Sequence, residues 1–216
     1  EDNNCQNLNI WTPGIEDNHK RPVMVWLHGG GFSTGSSLEA AAYDGANLAK
    51  QGDVVVVSVN HRLNVLGYLD LSDYGKEYKM SGNVGMYDIV DSLKWIRNNI
   101  VHFGGNPDNI TVFGESGGGA KVLALMTIPE AIGLFQKGIV ESGATETMGV
   151  HFNKPKFSRR VAALTLENLG LLSNQVEQLQ TISYKRLNAA ASMALEQAGI
   201  EQGIKRPLDG KPGGSW

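Results

Sequence analysis

Phe113-Gly114-Glu115-Ser116-Gly117-Gly118-Gly119 is the stretch on which the fold turns. It is entered by Asn109-Ile110-Thr111-Val112-Phe113, rich in β-branched residues, and left by Ala120-Lys121-Val122-Leu123-Ala124-Leu125-Met126, which suits a helix. Gly-x-Ser-x-Gly between a strand and a helix is the pattern of a nucleophile elbow. Such a turn is so tight that a side chain at either flanking position meets a neighbouring element, which explains glycine at 114 and 118. Ser116 is then expected on a strained apex above the sheet, with the N-terminus of the next helix pointing at it.

Working outward, the neighbouring segments supply a sheet for this turn. Asn7-Leu8-Asn9-Ile10-Trp11 alternates polar and apolar and ends at Pro13-Gly14, which predicts a half-buried strand. Val23-Met24-Val25-Trp26-Leu27 and residues 54–59 are continuous apolar runs of strand length, the pattern of strands covered on both faces. Residues 43–51 suit a short helix, and residues 60–79 read as a long irregular segment. Met86, Val90, Leu93, Ile96, Ile100 and Phe103 recur at helical spacing until Gly104-Gly105 and Pro107 stop the helix. Residues 137–142 read as a further strand. The order β, β, α, β, α, β, α, β predicts an α/β fold, a mostly parallel sheet with helices on both faces. From about Pro155 the composition changes: residues 157–169, 173–179 and 183–197 read as helices, with Ser173 and Ser183 as N-caps. We therefore expect a core over residues 1–150 and a helical, cap-like excursion over 151–216 within the same catalytic domain. Both ends of the chain read as cuts, so the fold is expected to be incomplete at each.

Bulk properties exclude several functions. The 216 residues carry a formal net charge of −3, 41% hydrophobic and 19% charged residues, ordinary for a globular protein. No basic footprint suits nucleic acid, and no apolar run approaches the ~20 residues that span a bilayer. The one cysteine, Cys5, cannot pair within the chain, which leans towards a reducing, cytoplasmic compartment. It reads as a small hydrophobe rather than a reactive thiol.

His28-Gly29-Gly30-Gly31 follows a predicted buried strand. A serine that attacks a carbonyl creates an oxyanion, and preorganised N–H groups must receive that charge. A glycine-rich loop after a strand supplies such donors in α/β-hydrolases, together with the N–H that follows the nucleophile. The residues therefore suggest the loop 28–31 and the Gly117 N–H as donors and Ser116 as nucleophile, with His28 and His61 structural. A phosphate-binding loop is the competing reading of residues 114–121. It fails because Ala120 separates the glycines from Lys121, Val122 replaces the magnesium-binding hydroxyl, and Glu115 sets negative charge against phosphate.

CQNLNIW (5–11), VWLHGGGF (25–32), VSVNHRLNVLGY (57–68), GNVGMYD (82–88) and FGGNPDNITVFGESGGG (103–119) together resemble the type-B carboxylesterase family, which includes the cholinesterases. The resemblance covers roughly the first two thirds of the chain, and the helical tail matches only loosely. It implies an α/β-hydrolase fold and hydrolysis of small carboxylic esters with no metal or organic cofactor. It also implies Ser116 as nucleophile, Gly30, Gly31 and Gly117 as oxyanion donors, Glu115 beside the serine, and a structural ion pair between Arg62 and Asp88. Gly117 stands where the family usually has alanine, which implies a slightly looser turn. Some relatives of the family are non-catalytic adhesion proteins on the same fold, and these have typically lost the serine that is kept here.

A serine needs a base, and that base an orienting acid. In this fold the order is serine, acid, histidine. Only His151 follows Ser116, with Glu130, Glu141 and Glu146 between them, which places the base one strand too early. By resemblance, acid and histidine lie beyond Trp216, in the remainder of the same enzyme or in another chain. The 216 residues alone are expected to be inactive or nearly so.

Overall fold

A computed structural model describes residues 4–143, 153–205 and 216. The described residues group into two compact units, 4–61 with 86–143 and 62–85 with 153–205 and 216.

The first unit holds one five-stranded sheet. Strands β1 (Asn7–Trp11), β2 (Arg21–Leu27), β3 (Val55–Asn60), β4 (Gly105–Glu115) and β5 (Lys137–Glu141) lie in the order β1-β3-β2-β4-β5. β1 runs antiparallel to β3, and the other three pairings are parallel. The result is a mostly parallel sheet with helices on both faces, as the alternation of elements predicts. β3 is buried almost throughout, in keeping with its β-branched composition. β2 departs from the reading of a strand covered on both faces. Val23, Val25 and Leu27 are fully buried, whereas Met24 and Trp26 are half-buried. Trp26 packs between Tyr43 and Phe113 with ring centroids 5.0 Å from each, and its buried Nε1 has no partner among the described residues. β4 starts earlier than its β-branched run because Arg21 pairs with Gly105, across a register shift.

Helix α1 (Ala46–Gly52) follows β2, and α3 (Val84–Asn99) precedes β4. Met86, Val90, Leu93 and Ile96 form its buried stripe as the spacing predicts, with Ile89 added; Ile100 and the half-buried Phe103 fall in the 3-10 segment Ile100–Phe103 that follows. Helix α4 (Gly117–Leu125) begins directly after Ser116, three residues before its apolar run. A buried Arg21 ties the lower end of β2 to Asp17 and Asp53, each at 2.6 Å.

The second unit is helical. Its elements are α2 (Asn64–Tyr68), α5 (Pro155–Leu169), a 3-10 segment (Ser173–Thr181) and α6 (Tyr184–Gln202). α2 lies inside the stretch read as irregular, and Asn64 Nδ2 donates to Tyr184 Oη at 2.9 Å. Pro155 opens α5, where its missing N–H is harmless. Leu166, Leu169, Leu187, Ala190 and Ala191 close with Val65 and Leu69 into one core. Ser183 is the N-cap residue of α6 but makes no side-chain cap bond. Ser173 is not a cap: the Leu172 N–H donates instead to the Gln175 side chain at 2.9 Å. No helix among the described residues is long and apolar enough to cross a membrane.

Candidate active site

β2 and β4 are parallel and in register, Leu27 opposite Gly114, so the segments that follow them leave the same edge of the sheet. Carboxyl ends of parallel strands are where ligand sites form in open α/β sheets. β5 reaches that edge too: Glu115 pairs with Glu141, and the Ser116 N–H donates to the Glu141 carbonyl at 2.8 Å.

Ser116 is the hinge between β4 and α4. Its backbone sits at φ +54°, ψ −120°, a conformation that strains a residue carrying a Cβ by about 1–3 kcal/mol. It occupies the N-cap position of α4, and its carbonyl accepts the Ala120 N–H at 3.1 Å. Gly118 is required by close approach, because a Cβ there would lie 2.0 Å from the Leu27 carbonyl oxygen.

The glycine loop that follows β2 lies against this turn. A Cβ on Gly29 would stand 3.6 Å from Ser116 Cβ and 3.2 Å from the main-chain and side-chain oxygens of Glu115. A Cβ on Gly117 would come within 2.4 Å of the Gly31 carbonyl oxygen and 2.5 Å of its nitrogen and Cα. The space a side chain at 117 would need is taken by the loop. Gly30 and Gly31 have φ of +80° and +64°, and the Gly30 carbonyl turns inward to accept the N–H groups of Ser33 and Thr34 at 3.3 and 3.1 Å. Among the described residues, the N–H groups of Gly30 and Gly31 donate to no backbone carbonyl. Gly117 is the first residue of α4, where N–H groups have no partner within the helix.

Behind the loop lie two buried bases. His28 Nδ1 is 2.9 Å from the Gly29 carbonyl, which can only accept, so Nδ1 carries the proton. The ring stacks on His61 at 5.1 Å and 12°. Burial, then the neighbouring Lys121 charge, push the His28 pKa down to about 4. Lys121 is 0% exposed. Its Nζ donates to the His28 carbonyl at 3.1 Å and lies 5.4 Å from the centre of the Phe32 ring. Burial lowers its pKa to about 7, against a smaller opposing pull from Glu39. Nothing in the residue types predicts this burial. The available signal is that Lys121 interrupts an otherwise apolar helix, between Ala120 and Val122.

Ser116, Gly30, Gly31, Gly117, Glu115 and His28 thus gather at one edge. Asp88 is buried on α3, where Oδ1 accepts from Gln6 Nε2 at 3.0 Å and the main-chain carbonyl from Ser92 at 2.8 Å. Arg62 is half-buried at the start of the second unit's first segment. His151 and Glu146 lie outside the described residues.

Comparison with known proteins adds a family. The model of the carboxylesterase family matches residues 1–211. The chain is 46% identical over 187 residues to the para-nitrobenzyl esterase of Bacillus subtilis, covering 87% of this chain and 36% of that protein. It is 43% identical over 152 residues to carboxylesterase 3 of Homo sapiens, covering 70% of this chain and 25% of the relative. Among solved structures it superposes on an esterase from Clostridium hathewayi that hydrolyses aliphatic aromatic polyesters, with a TM-score of 0.86 and 45% identity, over 99% of this chain and 43% of that one. A thermophilic PNB esterase gives a TM-score of 0.82 at 40% identity, over 95% of this chain and 40% of that one. These relatives share the α/β-hydrolase fold. The chain spans between a quarter and two fifths of the length of most of them.

Proposed function

Because the chain belongs to the carboxylesterase family, we propose that the protein of which it forms part hydrolyses carboxylic esters through an acyl-enzyme on Ser116. The observation that carries this reading is the approach of the glycine loop to the elbow, with Gly29 beside Ser116 and Gly31 against Gly117. A substrate carbonyl held over Ser116 would have the N–H groups of Gly30, Gly31 and Gly117 on its oxygen side. Attack by Oγ makes the carbonyl carbon tetrahedral and moves its π electrons onto that oxygen, where the donors stabilise the charge. The Ser116 proton passes to a base outside this chain and from there to the leaving alcohol. Water, deprotonated by the same base, then attacks the acyl-serine, and the carboxylic acid departs as Ser116 recovers its proton. The strained backbone of Ser116 supports the role, since such strain collects at reacting residues.

The test uses the full-length protein with a p-nitrophenyl ester and a serine-directed fluorophosphonate. The reading expects turnover, stoichiometric labelling at Ser116, and loss of both in Ser116→Ala. Turnover that survives Ser116→Ala, or a label at another residue, overturns it.

A further inference from the structure

Lys121 is among the largest fully buried side chains of the described residues, and the reaction sequence above makes no use of it. An ammonium has three donors, and among the described residues the only oxygen that Nζ reaches is the His28 carbonyl. Its other neighbour is the face of the Phe32 ring, at a distance suited to a cation–π contact. His28 and Phe32 bracket the loop: one precedes Gly29, the other follows Gly31. A single buried charge on α4 therefore grips both ends of the glycine run. On the far side of that run there is no side chain to stop it, since Gly117 offers only backbone to Gly31. The grip from behind holds the loop where Gly31 meets the Gly117 main chain. The titratable groups that face Lys121 are His28 on the segment after β2 and Glu39 on the loop beyond it.

We propose that Lys121 is a positioning residue: bonded to the His28 carbonyl and seated on Phe32, it holds residues 29–31 so that the Gly30 and Gly31 N–H groups stay aimed at the oxyanion above Ser116. This rests on the ester-hydrolase reading and assigns it a control point that does not touch the substrate. Without the ammonium, the loop keeps its sequence and its glycines but loses what fixes both its ends.

The experiment uses the full-length protein at pH 6, below the Lys121 pKa of about 7 so that the side chain is an ammonium, and the variants Lys121→Met, which fills the same volume without charge, and Phe32→Leu, which removes the ring face at a half-buried position. An aliphatic trifluoromethyl ketone reports on the oxyanion, because it forms a charged hemiketal with the serine; the matching methyl ketone reports ground-state binding. Lys121→Met is expected to lower kcat by roughly 10- to 100-fold, at or below the loss of one oxyanion donor, with KM within about twofold. Trifluoromethyl ketone affinity should fall by the same factor and methyl ketone affinity should not. Phe32→Leu should follow in the same direction by roughly threefold to tenfold. A merely structural lysine would change Tm and the fraction of labelled serine, leaving the ratio of the two ketone affinities at its wild-type value. That unchanged ratio in Lys121→Met overturns the proposal, and so does an unchanged ratio in Phe32→Leu should Lys121→Met not fold. Ser116→Ala separates the two readings. If it stays active, ester hydrolysis by Ser116 is wrong; if it is dead while Lys121→Met keeps wild-type values, only the role of Lys121 is wrong.

Discussion

α4 and α6 are both helices packed on a core, and they follow opposite rules. α6 is 19 residues long, ends at Gly203 in the left-handed conformation, and sets its one strong pair, Arg160 to Glu201 at 2.7 Å, at the surface. α4 opens with three glycines, starts from a serine at positive φ, and buries a lysine completely. In α6 the left-handed glycine at the C-cap and the ion pair at the surface follow local preference. In α4 three such preferences are violated within six residues; Ser116, Gly117 and Lys121 lie against the glycine loop or its ends, whereas Gly119 faces β4 and β5. Places where local rules fail while the fold holds are where function is expected.

The comparison breaks most sharply at Ser116. Ser116→Ala in the full-length protein should reduce kcat by about 10⁴-fold or more, as loss of a triad nucleophile does. Ser116→Gly should be equally inactive yet more stable by about 1 kcal/mol in denaturant unfolding, since glycine is at ease at φ +54°. A destabilised Ser116→Gly would mean that the backbone there is not strained. The helical unit should answer in the other currency. Leu166→Ala, at a buried position of α5, should cost about 2–5 kcal/mol of stability and leave the kcat of the folded protein unchanged.

A smaller effect comes from titration behind the loop. Lys121 has a folded pKa near 7, below its unfolded value of about 10.4. Below pH 7 both states hold the proton; between pH 7 and about 10.4 only the unfolded state does, so stability rises with pH across that window. His28, near 4 when folded and about 6.5 when unfolded, loses stability as pH falls from 6.5 to 4 by the same argument. Each window contributes a slope of at most about 1.4 kcal/mol per pH unit. Chemical denaturation of Lys121→Met should show the upper slope flattened and the lower one kept over a narrower pH range, since the Lys121 charge no longer depresses His28. The smallest effect belongs to the surface of α6: Glu201→Gln should leave both turnover and Tm at wild-type values, since exposed ion pairs are screened and mobile. A large loss there would remove the contrast between the two helices.

Much of this was legible in the residues. The elbow, the glycine loop and all five strands follow from glycine spacing, polar–apolar alternation and β-branched runs, because those signals are local. The first residues of β4 were not, since Pro107 and Asp108 disfavour a strand and the pairing of Gly105 with Arg21 comes from β2. α2 escaped notice because five residues carry too little periodicity. Ser173 resembles a cap in composition, but Gln175 reached the free N–H instead. The burial of Lys121 is invisible for a deeper reason. A lysine on a helix faces water in nearly every protein, and only the tertiary placement of β2 and Phe32 reverses that. The antiparallel setting of β1 likewise depends on its partner, not on its own residues.

The contact between Gly31 and Gly117 is main chain against main chain. With this loop position, a methyl group at 117 would meet the Gly31 main chain, so adding one requires the loop to move outward. The position of the loop is then set jointly by position 117 in front and by residues 28, 32 and 121 behind, so a change on one side is expected to be answered by a change on the other.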